Sequence, residues 1–232
     1  MKLSFITASV LPLLLVSVPL NAQDTGSLIR KAPAQIPHGG KLDPAERGRL
    51  AMYRYAECVF GRGPKRVEAY LDTFPGSKEA HTAANRLSDD DCLSSGEMTF
   101  NEPLFRGSVY DVIYKSRFKK SGPLNFDNVA PIDYAMSTVN DFGGPNAAVA
   151  LRKVADCTVR KSPGAARELV LSMVATKGET DAFGQIVPHM SSCVTKDATL
   201  KFSKSVFRGV VGEVLYRLSA AASPTANPVK DK

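Results

Sequence analysis

The sequence predicts an all-α protein made of two copies of a helical unit of about 70 residues. First, the segment Leu104–Tyr114 returns as Val206–Tyr216, with Phe-Arg-Gly, a later acid and a Tyr in the same register. Second, two cysteines and a proline recur upstream, 99 to 101 residues further along the chain. Third, apolar side chains in both copies follow a helical period. Internal similarity of this kind predicts a repeat architecture, here a tandem duplication of a disulfide-stapled unit of about four helices.

Residues 1–22 have the pattern of a secretory signal peptide, with Lys2, an apolar run from Leu11 to Leu20, and a small residue at Ala22. The run is short and contains two prolines, which is untypical of a membrane-spanning helix. We therefore expect cleavage after Ala22 and export to the periplasm or to the outside of the cell. We expect no integral membrane segment in the remaining chain.

The first repeat is predicted over residues 43–118, after a Gly- and Pro-rich segment (23–42) that we expect to be flexible. Asp43 and Pro44 are a typical cap and first residue of a helix. The first helix of each repeat carries an apolar stripe: Met52, Tyr55, Ala56, Val59 and Phe60 in one, and Leu151, Val154, Ala155, Thr158 and Val159 in the other.

Pro64 and Pro163 are predicted to begin the second helix of each repeat. Its apolar stripes are Val67, Tyr70, Leu71 and Phe74, and Ala166, Leu169, Val170 and Met173. We expect the first copy to end at Pro75-Gly76 and the second at Lys177-Gly178. The third helix has the stripes Ala80, Ala83, Ala84 and Leu87, and Phe183, Ile186, Val187 and Met190, with Pro188 close to the end of the second copy.

Asn101 and Ser203 are expected to cap the fourth helix of each repeat. Opposite the core stripe of that helix, a second face is repeated, and its residues are candidates for a binding surface: Arg106, Gly107, Asp111, Tyr114, Arg208, Gly209, Glu213 and Tyr216. The arginines are suited to bind an anion or to pair with a neighbouring acid. The glycines permit another helix to approach closely, and the tyrosines suit either a groove or a helix contact. We expect the two repeats to pack through their fourth helices.

The segment between the repeats, 119–145, is too apolar for a free linker. We expect it to pack across both units, with a short helix from about Ile132 to Asn140. The second repeat is predicted over 146–220. Residues 221–232, rich in Ala, Ser, Pro and Lys, are predicted to form a disordered tail.

The four cysteines of an exported chain are expected to form disulfides. Four cysteines allow three pairings, and a repeat that arose alone must pair its own cysteines. This argument predicts Cys58–Cys92 and Cys157–Cys193. The alternative, a metal site of four thiolates, lacks the usual C-x-x-C spacing, so we expect neither a metal nor another cofactor.

The composition and motifs narrow the classes of function. The formal net charge is +7, or +6 without Lys2, which weakly favours acidic partners in the cell envelope. The basic residues are not clustered with aromatic ones, so we do not expect nucleic-acid binding. The chain has no H-E-x-x-H, G-x-S-x-G or phosphate-loop motif. Its histidines, His38, His81 and His189, occupy unrelated positions.

Both repeats contain the same three features in the same order. They are an A-[DE]-C motif, a distant second cysteine and the motif F-R-G-x-x-x-[DE]-[VL]-[IL]-Y. This pattern resembles a group of exported alphaproteobacterial helical-repeat proteins. The similarity covers residues 45–118 and 146–220. The resemblance implies export and the internal repeat, and it implies no activity and no catalytic or binding residue.

Helical repeats without catalytic motifs usually serve as binding surfaces. The first hypothesis is therefore an exported, non-catalytic interaction module for an envelope protein or an acidic envelope component. The second is a structural or stress-related envelope protein without a specific ligand, and the third is a hydrolase-type enzyme with a site between the repeats. A shallow groove lined by Tyr and Arg would favour binding, whereas a deep cleft with His81 or His189 beside an acid and a Ser would favour catalysis. The sequence leaves the oligomeric state open.

Overall fold

The computed structural model describes residues 42–93, 101–134, 145–194 and 202–223. Within these ranges the chain forms α-helices, one short 3₁₀ helix and turns, and no β-strand, so the all-α prediction is confirmed. The predicted signal peptide lies outside the described residues. The same holds for most of the segments predicted as a flexible lead-in and a disordered tail.

Within the described ranges, two sets of four α-helices follow one another. The first set is α1 (Pro44–Arg62), α2 (Pro64–Leu71), α3 (Lys78–Arg86) and α4 (Glu102–Phe118), with the 3₁₀ helix Asp90–Cys92 after α3. The second set is α5 (Pro145–Lys161), α6 (Pro163–Leu171), α7 (Lys177–Ser191) and α8 (Lys204–Ala222). Residues 221 and 222, which the prediction assigned to the tail, belong to α8.

Local capping explains why these helices start where they do. The Asp43 side chain accepts a hydrogen bond from the Glu46 N–H at 2.9 Å, and Pro44 occupies the first turn. Asn101 caps α4 and Ser203 caps α8 in the same way. Each cap satisfies an amide that the helix itself leaves without a partner. The predicted starts of α1, α4 and α8 are confirmed.

The ends of the second helices differ from the prediction. They end at Leu71 and Leu171, so Phe74 and Met173 lie in the following turns and are 46 % and 39 % exposed. The predicted stop at Lys177-Gly178 is wrong, because Thr176 accepts from the Glu179 N–H and thereby starts α7.

The turns after α2 and α6 correspond to each other. Gly76 and Ala175 occupy equivalent positions, and both have a positive φ, 72° and 59° respectively. This left-handed conformation is natural for glycine and unusual for alanine. A glycine signal therefore marks the first turn in the sequence, and no glycine marks the second.

The predicted alignment of the two third helices with each other is wrong. Their caps, Ser77 and Thr176, are 99 residues apart, so Ala80 corresponds to Glu179 and not to Phe183. The side chains of Ala80 and Glu179 are both buried. Pro188 does not end α7, which continues to Ser191.

The disulfides are Cys58–Cys92 and Cys157–Cys193, with Cα–Cα distances of 5.7 and 5.8 Å. These are the pairs that the repeat predicts. Each disulfide ties the first helix of a repeat to the chain just after the third helix. Both bonds are typical of proteins from an oxidising environment.

The two repeats meet mainly through α4 and α8, which form the most extensive helix contact of the described structure. The predicted packing through the fourth helices is confirmed. The described part of the connector packs against both repeats: Phe126 and Tyr134 are buried in a hydrophobic cluster that contains Tyr114 and Phe118 of α4 together with residues of the second repeat. The expected short helix is not formed at 132–134, and its remainder lies outside the described residues.

Candidate functional site

The repeated glycines lie where α4 and α8 cross. A Cβ on Gly107 would be 2.6 Å from the Gly209 Cα, and a Cβ on Gly209 would be 2.8 Å from the Gly107 Cα. The obstructing atoms belong to the backbone and cannot rotate away. The two glycines therefore permit an approach that any other residue would prevent, as the close-contact interpretation expects.

The repeated arginines are buried and each caps a helix of its own repeat. Arg106 Nη2 donates to the Leu71 carbonyl at 2.6 Å, and Arg208 Nη2 donates to the equivalent Val170 carbonyl at 3.2 Å. The last carbonyls of a helix lack partners within it and carry its negative dipole end. A cationic guanidinium satisfies both needs, so the arginine of Phe-Arg-Gly stabilises the end of the second helix.

Arg208 also joins the two repeats through buried ion pairs. Its Nε donates to Asp111 Oδ2 at 2.7 Å, and its Nη1 donates to Glu179 Oε1 at 3.1 Å. Arg49 of α1 pairs with the same Glu179. Arg208 of the second repeat is thus held between Asp111 of the first repeat and Glu179 of the second.

Glu213 is the centre of a second buried cluster. It pairs with Arg152 and with Arg217, each at 2.9 Å. Burial alone would raise the pKa of Glu213, but the positive charges of Arg152, Arg217 and Arg106 outweigh it and hold the pKa below its ordinary value. Glu213 is therefore ionised at neutral pH, although it lies in the interior.

The repeated face is consequently an internal contact over most of its length. Five candidate residues are at most 3 % exposed: Arg106, Asp111, Tyr114, Arg208 and Glu213. These side chains are buried inside the molecule and are not available to a ligand at the surface. Tyr216 is only partly covered and faces an open groove.

This groove has a volume of about 330 Å³ and lies between the end of α2 and the facing parts of α4 and α8. We name it the α2–α8 groove. Its lining combines residues of both repeats: Glu68, Leu71, Asp72, Thr73, Phe74, Tyr110, Ile113, Tyr216 and Arg217.

Aromatic rings and charged groups alternate around the α2–α8 groove. The rings of Tyr110 and Tyr216 lie 5.8 Å apart, and Arg217 donates to the Tyr110 hydroxyl at 3.3 Å. Arg117 donates to the Tyr216 hydroxyl at 2.6 Å and pairs with Glu68. These bonds fix the rings in place, and the groove presents polar and apolar surface in about equal parts.

In the second repeat the connector covers part of the equivalent surface. Tyr114, the counterpart of Tyr216, is fully buried. Arg167, the counterpart of Glu68, donates to the connector carbonyls of Lys119 at 2.8 Å and Gly122 at 3.3 Å. The connector therefore covers in one repeat the surface that the other leaves open.

Lys115 closes the same region from α4. Its Nζ donates to the Tyr53 hydroxyl at 2.9 Å and to the Ser172 carbonyl at 3.2 Å. Burial lowers the pKa of Lys115 to about 8, against an opposing effect of Asp111.

The lowered pKa of Lys115 predicts that the free energy of unfolding rises with pH above about pH 8. Above about pH 8, Lys115 loses its proton in the folded state, whereas the unfolded chain keeps it until about pH 10. The unfolded state then binds more protons, so the free energy of unfolding should increase from about pH 8 to 9.5. Urea denaturation of the wild type and of Lys115→Met over this range tests the expectation. An equal pH dependence in both proteins would contradict it.

Sequence reasoning missed several buried charges, although a signal for them exists. Arg152 lies on the same helical face as Ala148, Ala155 and Val159, all of which are fully buried. Glu179 similarly precedes Ala182 by three residues. Helical spacing places both charges on a core face, where a partner of opposite charge is required.

The α2–α8 groove is lined by neither His81 nor His189, and His81 is exposed, 3.9 Å from Glu102. The described residues contain no group of three side chains suited to hold a metal ion. None of their helices has the length and apolar character needed to cross a membrane. Comparisons of the chain with protein-family models, curated proteins and solved structures found no match.

Proposed function

We propose that the protein is an exported, non-catalytic interaction module that binds an extended segment of an envelope protein in the α2–α8 groove. The observation that carries the proposal is Phe74, an exposed aromatic side chain that lines the same groove as Tyr216, whose counterpart Tyr114 is covered by the connector. The two disulfides support a site of action in an oxidising compartment, such as the periplasm or the cell exterior.

The connector provides a precedent for contact through backbone groups, in the turn that directly follows α4. Its backbone carbonyls at Lys119 and Gly122 accept from Arg167. A Cβ on Gly122 would lie 2.8 Å from the Tyr114 hydroxyl, so the backbone itself packs against that ring. A partner segment in the open groove would lie against Tyr216 in the corresponding way.

The charges of the α2–α8 groove indicate the chemistry of that segment. Glu68 stands where the second repeat has Arg167, and its carboxylate is already paired with Arg117, so Asp72 is the acid of the groove that a basic group of the partner would meet. Asp72 is exposed beside Glu68. We therefore propose a partner segment with an apolar side chain for Phe74 and a basic residue close to it, rather than the acidic component that the net charge alone would favour.

In-cell photo-crosslinking tests the proposal. The crosslinking amino acid p-benzoylphenylalanine replaces Phe74, and the matched control replaces Met173, which has the equivalent position and a similar exposure of 39 %. We expect one dominant partner adduct from position 74 and none from position 173. Equal adducts at both positions, or none at position 74, would contradict the binding proposal and favour a structural role.

The identified partner then permits a quantitative test. In calorimetric titrations, Phe74→Ala should weaken binding at least tenfold, which corresponds to about 1.4 kcal/mol. Met173→Ala should leave the affinity unchanged. Equal affinities of the wild type and Phe74→Ala would place the partner on another surface.

A further inference from the structure

The turn that follows α4 presents an apolar side chain close to two cations. Leu124 is 55 % exposed, and among the large apolar side chains of the described residues only Phe74 and Met173 are also exposed. Lys119 and Lys120 precede Leu124 in the same turn, and both are exposed. The turn thus combines an apolar and a basic group, as the proposed partner segment of the α2–α8 groove would.

Hydrogen bonds and a buried ring hold this turn in a fixed conformation. The Gly122 N–H donates to the Phe118 carbonyl at 2.9 Å. Arg167 donates to the carbonyls of Lys119 and Gly122. At the other end of the turn, Phe126 is buried in the hydrophobic core. Because a surface that is ordered beforehand loses little conformational entropy on binding, the turn is suited to dock as a preformed unit.

We propose that a second copy of this chain occupies the α2–α8 groove. The turn 119–125 of one copy binds in the groove of the other, and the reverse contact forms in the same dimer. In each contact Leu124 packs on Phe74, and the two lysines of the turn face Asp72, which lines the groove and is exposed. The inference rests on the proposed function, because it assigns an occupant to the same groove.

The charges of the two surfaces are complementary. Glu68 of the groove is already paired with Arg117. Arg217, which also lines the groove, is paired with Glu213. Asp72 is the exposed acid of the groove, and the turn supplies two exposed cations. Complementary charges of this kind favour one docking orientation over others.

Both surfaces lie near the same end of α4, which permits a reciprocal dimer. Ile113 lines the groove, and α4 ends at Phe118, where the turn begins. From Ile113 to Phe118 the helix rises about 7.5 Å, at about 1.5 Å per residue. Two complementary surfaces that lie close together can both be used when a two-fold axis relates the copies. We therefore expect a closed dimer and not a longer assembly.

Sedimentation equilibrium of the purified exported chain, with its disulfides intact, tests for the dimer. We expect a reversible monomer–dimer equilibrium that salt shifts towards the monomer, because the pairing charges are exposed and therefore screened. A monomer at every concentration up to the limit of solubility, or assemblies larger than a dimer, would overturn the inference.

A charge exchange between two variants tests the assigned contact. The groove variant is Asp72→Lys, and the turn variant combines Lys119→Asp with Lys120→Asp; all three side chains are exposed, so the fold should be retained. Each variant alone should weaken dimerisation by about tenfold or more, since like charges then meet in both contacts. An equimolar mixture should restore the dimer, because each contact of the mixed dimer joins opposite charges.

The control for the charge exchange is Asp181→Lys, which makes the same change of charge on an exposed side chain of α7. It should leave dimerisation unchanged. An equal effect of Asp181→Lys and Asp72→Lys, no loss in either of the two variants, or no recovery in their mixture would overturn the assignment of the turn to the groove.

Photo-crosslinking identifies the residues in contact. In a mixture of isotope-labelled and unlabelled purified chains, p-benzoylphenylalanine in place of Phe74 should link to residues 119–125 of the other copy. The same amino acid in place of Met173 should give no such link. Links only within one chain, or none to 119–125, would overturn the inference. These samples contain no envelope protein, so such a failure leaves the in-cell partner adduct unaffected. A dimer in vitro without an adduct to another protein in cells would contradict the proposed function alone.

Discussion

Replacing Arg208 with methionine is expected to lower the free energy of unfolding by about 3–5 kcal/mol. The substitution keeps an unbranched apolar stem and removes the guanidinium that pairs with Asp111 and Glu179. Asp111 would remain buried without that cation, and the end of α6 would lose its cap. Urea denaturation with intact disulfides measures the change.

An exposed ion pair provides the control for this experiment. Lys177 and Asp181 pair at 2.6 Å on the surface, with side chains 87 % and 55 % exposed. Such pairs contribute little, so Lys177→Met should change the stability by no more than about 0.5 kcal/mol. If Arg208→Met were no more costly than Lys177→Met, the buried ion pairs would not stabilise the fold as we argue.

Gly107→Ala is expected to destabilise the protein by about 1–3 kcal/mol. The added methyl group would lie 2.6 Å from the Gly209 Cα, so α4 and α8 would have to separate. Gly107→Leu should cost at least as much. The loss is expected even though alanine is intrinsically more favourable than glycine in a helix by about 1 kcal/mol.

Gly184→Ala is the matched control for the glycine substitution. Gly184 lies inside α7, and nothing within 4 Å would meet its Cβ. Alanine should therefore stabilise the protein there by up to about 1 kcal/mol. Thermal melting of both variants measures whether α4 and α8 are in tight contact at these glycines. An unchanged melting temperature for Gly107→Ala would mean that the repeated face does not form a tight contact.

Local sequence signals were sufficient for much of the fold. Asp43-Pro44, Asn101 and Ser203 mark helix starts because a cap depends on neighbouring residues only. The disulfide pairs followed from the repeat, since each unit has to pair its own cysteines. The apolar stripes of α4 and α8 followed from helical spacing, and their predicted members, such as Phe105 and Phe207, are fully buried.

Other features depend on contacts between distant parts of the chain. The end of α6 was missed because its left-handed turn uses Ala175, which carries no glycine signal. The sequence shows that Arg208 and Asp111 belong to a repeated face, but it does not show that the two faces meet each other. The openness of the α2–α8 groove also depends on which repeat the connector covers, and periodicity contains no information about that.

One position shows how the two repeats have become different. Tyr110 and Gly212 occupy equivalent places in α4 and α8. A Cβ on Gly212 would lie 2.5 Å from Asp111 Oδ1, so the glycine gives this carboxylate room beside α8. Tyr110 instead forms a wall of the open groove. The same difference thus leaves room for the ion pair between Asp111 and Arg208 and places a tyrosine that is only 2 % exposed in the wall of the groove.

A double-mutant cycle between Arg208 and Asp111 tests most directly whether the repeated face holds the two repeats together. The cycle compares unfolding free energies of the wild type, Arg208→Met, Asp111→Leu and the combined variant. We expect a coupling energy of about 1–3 kcal/mol, with the combined variant more stable than the sum of the single losses predicts. Losses that add to within about 0.5 kcal/mol would show that the two residues act independently, and would contradict an interface built on the repeated Phe-Arg-Gly helices.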